Sequence, residues 1–192
     1  MITINNLTKW FSSMLLSIAP LFAYATIPAW EIIPSQSSLT FTATQNGAPV
    51  SGQFKNYTGE ITFDQKDLKH SKVDIIVDIG SIAASYSDLT AALLTPDWFN
   101  AQVFPKAIFK SSDFKKTGEK TYQASGSLTI RDKTSPVRLI FTAIEPSQNM
   151  IHVEGSTTLK RSDFGVGQGE WASTKEIKDE VNVNFKLVAK QK

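Results

Sequence analysis

The chain has no cysteine, which excludes a disulfide framework, a thiolate metal site and a cysteine nucleophile. Histidine is scarce, because His70 and His152 stand far apart and neither has a second histidine at metal-ligand spacing. An excess of charge of one sign is also lacking, since the formal net charge of 192 residues is +2. We therefore expect no metal, no nucleic-acid partner and no clustered basic surface.

Long apolar runs are absent as well, apart from one short stretch at the amino terminus. The first 25 residues carry a single charge, Lys9, followed by an apolar run over residues 10–22 and the small-residue site Ala23-Tyr24-Ala25. Serines and a proline interrupt this run, which falls short of the ~20 apolar residues that a membrane span needs. The order is typical of a cleaved secretory signal peptide. We predict cleavage after Ala25, one mature domain over residues 26–192, and a periplasmic location.

From Trp30 onward, apolar and polar residues alternate at period two, which is typical of strands with one buried face. Turn-forming residues separate about eight such rows. We place three of these turns at Tyr57-Thr58-Gly59, Asp132-Lys133-Thr134 and Pro146-Ser147-Gln148-Asn149. Eight strands suffice for an antiparallel sheet to close on itself and abolish its edges. The sequence therefore predicts an all-β barrel.

One segment, residues 87–94, breaks the alternation. Ser87 offers a hydroxyl N-cap, and Leu89 and Leu93 fall on one helical face at i, i+4. We predict a short helix that ends near Pro96 and covers a barrel mouth. The apolar residues of this predicted cover are Leu89, Leu93, Trp98 and Phe99.

Five short segments form a recognisable series along the mature chain. They are Trp30 with Ser38–Phe41, Val50–Phe54 with Gly59–Asp64, Asp97–Asn100 with Phe104-Pro105, Gly126–Arg131, and Arg161–Gly165. In this order the chain resembles the YceI-like family of lipid-binding proteins, often described as polyisoprenoid-binding. The resemblance implies an antiparallel, lipocalin-like barrel of about eight strands, with a short helix in a crossover insertion. It also implies export, and a lumen that takes a long-chain amphiphile such as a polyisoprenoid, a quinone or a fatty amide.

The chain departs from the family pattern at three places. Gln45 stands where many relatives have a histidine, and Asp132 stands where many have a glycine after Arg131. Ser87-Asp88 replaces an Arg-Asp pair at the start of the helical insertion. The resemblance therefore carries no head-group contact over to these positions.

The inward-facing rows and the cover would together line the lumen. The predicted ligand-binding residues are Phe41, Phe54, Phe63, Ile75, Val77, Leu89, Leu93, Trp98, Phe99, Leu128, Ile130, Leu139, Phe141, Val153, Val183 and Phe185. The pattern alone leaves open whether such a lumen is a filled core or a pocket, and the resemblance favours a pocket. Arg131 and Arg161 are the candidate head-group residues, because a guanidinium binds phosphate or carboxylate in bidentate geometry.

These features predict reversible, non-covalent sequestration of a lipid that enters past the cover, with no catalytic step and no cofactor other than the bound lipid. A lipid-acting enzyme on the same barrel is the main alternative. Two observations argue against this alternative: the chain has no G-x-S-x-G nucleophile elbow, and the acidic residues Asp74 and Asp78 are expected to face outward. A third hypothesis is an envelope partner-binding module with a filled core, using exposed Phe164 and Trp171. The glycine-rich segment between these two residues is read as a flexible connection at the mouth. The sequence leaves a homodimer open.

Overall fold

The computed structural model describes residues 27–147 and 149–192, so the predicted signal peptide and its cleavage site lie outside the described residues. This part of the chain forms eleven strands in one sheet. The strands are β1 Ala29–Ile32, β2 Ser38–Gln45, β3 Ala48–Phe54, β4 Tyr57–Thr62, β5 Lys72–Asp78, β6 Ile82–Ala84, β7 Lys106–Lys116, β8 Thr121–Ile130, β9 Lys133–Ser147, β10 Met150–Lys160 and β11 Glu180–Gln191. One α-helix, α1, spans Ser87–Leu93.

The sheet closes into a barrel because β11 pairs with the first strands of the chain. Trp30 in β1 lies opposite Gln191, and Phe41 in β2 lies opposite Val183. The neighbours β1-β4-β5-β7-β8-β9-β10-β11 thus form a ring of eight, in which each pair is antiparallel. Closure leaves this ring of eight without a first or a last strand. The predicted eight-stranded antiparallel barrel is confirmed.

The eleven strands occupy eight positions around the barrel, which we call staves. Three of these staves are each formed by two consecutive strands with a short break between them. β1 continues as β2, β3 as β4, and β5 as β6, with short breaks between the members. The break between β3 and β4 is hydrogen-bonded to the break between β5 and β6. The backbone N–H of Asp78 donates to the carbonyl of Asn56, and the N–H of Asn56 donates to Ser81 Oγ. The predicted turn at Tyr57–Gly59 is therefore wrong, because the chain bends just before it and Tyr57 already begins β4.

Two tight hairpins show how local chemistry sets the connections. Asn46 and Gly47 both have positive φ, 51° and 79°, as a two-residue hairpin turn favours. Between β8 and β9 the turn contains Arg131 and Asp132, and Arg131 has a φ of 57°. Lys133 already pairs with Ile130, so the predicted turn lies one residue too late.

The helix begins one residue earlier than predicted. Its N-cap is Tyr86, and Ser87 is the first helical residue rather than the cap. The cause is Thr90, whose hydroxyl accepts from the N–H of Ala84 at 2.9 Å and donates to the carbonyl of Tyr86. These bonds fix the path from β6 into the helix. The predicted short helix in an insertion between strands is otherwise confirmed, and it ends at Leu93.

Candidate functional site

The two ends of the barrel are built differently. At one end lies the aromatic floor, the rings of Phe63, Phe114, Tyr122 and Phe141, whose centroids are 5.7 to 6.5 Å apart. Trp30 lies beside the floor and its Nε1 donates to the carbonyl of Phe63 at 2.8 Å. Tilted and edge-to-face contacts at these distances stabilise aromatic clusters beyond their burial. This end is closed by packing.

At the other end lies the cover, which consists of α1 and residues 94–105. Leu93 is buried against Phe41 and Ile82. The ring of Phe99 meets that of Phe54 edge to face, with 6.0 Å between centroids. The prediction that this apolar face lies over one end of the barrel agrees with these contacts.

A cavity of about 490 Å³ extends through the barrel from the floor to the cover. Its size is that of a small-molecule site. All sixteen predicted ligand-binding residues line it, namely Phe41, Phe54, Phe63, Ile75, Val77, Leu89, Leu93, Trp98, Phe99, Leu128, Ile130, Leu139, Phe141, Val153, Val183 and Phe185. The structure thus brings them to one wall, and their contact with a ligand stays a prediction.

Sequence reasoning missed part of the wall on β7. Phe109 and Phe114 both line the cavity, yet they are five residues apart and cannot share a face in a regular strand. A bulge between Ser111 and Asp113 inserts one residue and reverses which positions point inward. The apolar pair Ala107 and Phe109, flanked by Lys106 and Lys110, was the available signal, and the bulge concealed its continuation.

Few polar groups interrupt this apolar wall. Gln45, Asp88, Thr157 and Arg161 contribute to the lining, together with Tyr57 and Tyr86. Burial raises the pKa of Tyr57, so its hydroxyl stays protonated at neutral pH. Because apolar surface gains most by leaving water, such a wall binds hydrocarbon rather than a charged group.

Arg161 is fully occupied by the backbone of its own loop. Its side chain is 5% exposed and donates to five carbonyls at 3.0 to 3.3 Å. The acceptors are the carbonyls of Val166, Gly167, Ser173, Ile177 and Lys178. Burial lowers the pKa of Arg161, and Asp179 opposes that shift. A guanidinium has five N–H donors, so none is left for a ligand, and these bonds give no support to the predicted head-group role of Arg161.

Arg131 also donates its hydrogen bonds to backbone carbonyls of loops. Its Nη1 donates to the carbonyls of Pro96, Trp98 and Gly165, and its guanidinium lies 5.7 Å from the ring centroid of Phe104. These bonds fasten the cover to the segment over residues 164–171. Arg131 is outside the set of residues that line the cavity, so the structure gives no support to its predicted head-group role.

The segment over residues 164–171 flanks the covered end, as predicted. The N–H groups of Gly167 and Gln168 both donate to the carbonyl of Asp97, and Trp171 lies against Trp98 with 5.9 Å between ring centroids. Phe164 is only 2% exposed. The prediction of an exposed partner-binding surface at Phe164 is therefore wrong, because its ring packs inside the barrel wall.

The acidic residues of β5 have structural partners. Asp74 forms an ion pair with Lys110 at 2.8 Å, and Asp78 accepts from the N–H of Gly80 at 2.9 Å. His70 contacts Asp67, and within residues 27–147 and 149–192 no three potential metal ligands cluster. Over the same residues, no helix has the length and apolarity to cross a membrane.

A closed, lipocalin-like barrel around one long apolar cavity defines the class of this protein. The match to known families is equally specific: the YceI-like domain covers residues 30–189. The chain belongs to the YceI-like family, as its sequence motifs indicate.

Similar proteins agree with this assignment. A UPF0312 protein of Photorhabdus laumondii is 36% identical over 88 residues, which cover 46% of this chain and 45% of that protein's length. The crystal structure of BcnA from Burkholderia cenocepacia has a TM-score of 0.78 at 29% identity, covering 82% of this chain and 98% of that chain. A Saccharophagus degradans domain, described as polyisoprenoid-binding and implicated in plant cell wall breakdown, has a TM-score of 0.68 at 14% identity and coverages of 86% and 99%. At that identity the likeness shows the fold alone.

Proposed function

We propose that this protein binds a long-chain amphiphile non-covalently, with the apolar tail inside the barrel, and performs no catalytic step. The observation that carries the proposal is the cavity of about 490 Å³, whose wall is apolar from the aromatic floor to the cover. A filled core would leave no such space. The barrel therefore has room for a guest, and the chemistry of its wall selects hydrocarbon.

The energetics favour tail length over head-group chemistry. Burial contributes ~0.8 kcal/mol per methylene, so ten methylenes supply ~8 kcal/mol before the cost of ordering the ligand. Arg161, the one cation in the described wall, has no donor to spare. Affinity should therefore rise with each methylene until the tail reaches the floor.

We propose a polyisoprenoid, a quinone or a fatty amide as the ligand class, and the periplasm as the location. Membership of the YceI-like family and the similar fold of the polyisoprenoid-binding domain of Saccharophagus degradans support this ligand class. The order of Lys9, an apolar run and Ala23-Tyr24-Ala25 supports export. A chain without cysteine would face no wrong disulfide pairing in an oxidising compartment.

Native mass spectrometry of the protein, expressed with its leader and purified from the periplasm without detergent, tests the proposal. We expect a bound mass that organic solvent releases and that fragmentation identifies as a long-chain amphiphile. Val77→Trp, which fills the cavity, should lower occupancy, whereas Ile76→Trp on the opposite face of β5 should leave it unchanged. A bare polypeptide that stays bare after exposure to polyisoprenoid and quinone lipids would overturn the proposal.

A further inference from the structure

Over the described residues, the pairing between the neighbouring strands β9 and β10 is incomplete. The ladder between them stops at the pair Ser156 and Ile140, although β9 extends back to Lys133 and β10 runs on to Lys160. The other edges of these two strands stay paired, to β8 and β11, along the same stretch. The described residues therefore leave a split between residues 133–139 and residues 157–160, where backbone groups lack a strand partner.

Outside this split lies a polar groove of about 580 Å³, which we call the outer groove. The polar outward-facing side chains that line it are Arg138, Ser156, Thr158, Lys160, Asn182 and Asn184, and the exposed apolar residues Pro136 and Ile140 line it as well. Hydroxyls, amides and two cations thus surround one opening in the wall. This composition is the reverse of the apolar cavity inside.

The partition between groove and cavity is one side chain thick. Val137, Thr157, Leu159 and Phe164 line both spaces. Phe164 belongs to a short 3-10 turn beside the split and packs against Val137. Rotation of these side chains would join the two spaces without breaking any β-ladder, because no ladder crosses the split.

The covered end presents a stronger barrier and a poorer electrostatic match for an anion. Arg131 and the carbonyl of Asp97 fasten the cover with several hydrogen bonds. The charged residues in the described cavity wall are Asp88 and the fully occupied Arg161. A negative head group at this rim would meet a carboxylate and no available cation.

The outer groove offers the missing charge. Arg138 and Lys160 are exposed, and neither takes part in a salt bridge in the described part of the chain. Asp163 is the single carboxylate of the described lining, so the groove has an excess of one positive charge. Guanidinium and ammonium groups bind phosphate and carboxylate oxygens through charge-assisted hydrogen bonds.

We propose that the outer groove is the head-group site for an anionic amphiphile, a phosphate or a carboxylate, whose tail passes through the split between β9 and β10 into the cavity. This inference rests on the proposed function. It replaces uptake past the cover with lateral uptake through the barrel wall. Phe164 then separates the two spaces in the absence of ligand.

Head-group recognition is tested by calorimetric titration with monomeric dodecyl phosphate, dodecanol and inorganic phosphate. Replacing both cations, Arg138→Ala with Lys160→Ala, should weaken dodecyl phosphate binding about five- to tenfold and leave dodecanol binding within about twofold. The matched control, Lys72→Ala with Lys106→Ala, removes the same charge from β5 and β7 and should change neither. Inorganic phosphate alone should bind too weakly to detect, because it has no tail.

The route is tested by closing the split. The pair Pro136→Cys and Thr158→Cys, joined by a short bismaleimide, spans the split in a chain that has no other cysteine. We expect uptake of dodecyl phosphate to slow by about tenfold or more. The same reagent on Thr142→Cys and Glu154→Cys, which already pair in the ladder, should leave the rate unchanged.

The outcomes separate the two levels of the proposal. Normal dodecanol binding with no effect of the Arg138 and Lys160 replacements or of the cross-link would overturn the lateral site and leave the proposed function standing. Failure of every form to bind dodecanol and dodecyl phosphate would overturn both. Tight binding of inorganic phosphate alone, or a dimer joined strand to strand at the split, would also overturn the assignment of this groove to an amphiphile head group.

Discussion

The two ends of the barrel are closed by different physical means. The aromatic floor is a cluster of rings, centred on Phe63, that exclude water by packing on one another. The covered end is held by two arginines, Arg131 and Arg161. Their guanidinium groups together donate hydrogen bonds to eight backbone carbonyls in loops. Packing is non-directional and tolerates small shifts, whereas hydrogen bonds fix a loop at one position.

This difference places the packing that stabilises the barrel at one end and the hydrogen bonds that order the loops at the other. The floor buries large side chains of distant strands together, so it contributes to the stability of the whole barrel. The covered end orders segments that lie between strands, so it controls the shape of the cavity. Changes at the floor should unfold the protein, and changes at the covered end should alter its loops and its ligand first.

The largest effect is expected at the floor. Phe63→Ala leaves a cavity among Phe114, Tyr122 and Phe141 and should lower the free energy of unfolding by ~3–5 kcal/mol. Urea unfolding measures this loss. Phe54→Ala, which trims a partly exposed ring at the covered end, should cost clearly less. Equal losses at both positions would contradict the division between the two ends.

A smaller effect is expected for the arginine of the loop. Arg161→Ala leaves several buried carbonyls without a donor and should cost ~2–4 kcal/mol in urea unfolding. Faster amide exchange should appear at Val166 and Gly167 but not in β8. Lys175→Ala, an exposed change in the same loop, should stay within ~0.5 kcal/mol. A loss from Arg161→Ala as small as that of this control would show that water replaces the guanidinium.

At the cover, the expected effect is on the ligand. Leu89→Asp places a charge in the apolar wall and should weaken dodecanol binding by about tenfold, ~1.4 kcal/mol, with little loss of stability. Ala91→Asp adds the same charge on the exposed side of α1 and serves as the control. Titration calorimetry and urea unfolding on the same samples separate the two quantities. If unfolding changed more than binding, Leu89 would belong to the core.

The smallest effect concerns Tyr122 in the floor. Its hydroxyl donates to Gln65 Oε1 at 2.8 Å, and burial, reinforced by the charge of Glu145, raises its pKa above the ordinary 10.0. The unfolded chain then loses this proton first, so stability is retained below about pH 10 and falls as the pH rises towards the folded pKa.

Tyr122→Phe should cost ~1 kcal/mol at neutral pH and flatten the alkaline decline. Urea unfolding at pH values from 7 to above 10 would show this, relative to the unchanged protein. A residual slope is expected, because burial also raises the pKa of Tyr57. An identical alkaline slope in the variant would mean that Tyr122 does not titrate differently in the folded state.

The sequence predicted the features that follow from a repeated pattern. Alternation at period two identified inward rows such as Ile75 with Val77 and Leu128 with Ile130, and these residues line the cavity. It failed where one residue breaks the period, as the bulge after Ser111 does. The breaks inside long staves, such as the bend before Tyr57, were also missed, because a bend and a turn have similar local signals.

The roles of the arginines could not be read from the pattern. An arginine at a strand end is typical of a rim, yet the carbonyls that surround Arg161 come from positions up to Lys178, and only the folded loop brings them together. The outer groove was missed for a similar reason. Its existence depends on where the ladder between β9 and β10 stops, which pairing decides and composition does not.

The closing of the ring has a consequence for how the protein folds. Ser37 and Val188, 151 positions apart, exchange hydrogen bonds at the seam where β11 meets the first stave. All other neighbouring staves are consecutive in the chain, so they can pair early as hairpins. The barrel can close only when its last strand, β11, has paired with the first stave. Pairing across such a separation is slow because the loop entropy is lost before the contact is gained. A chain truncated before residue 180 should remain an open sheet, with its apolar face exposed and prone to aggregation.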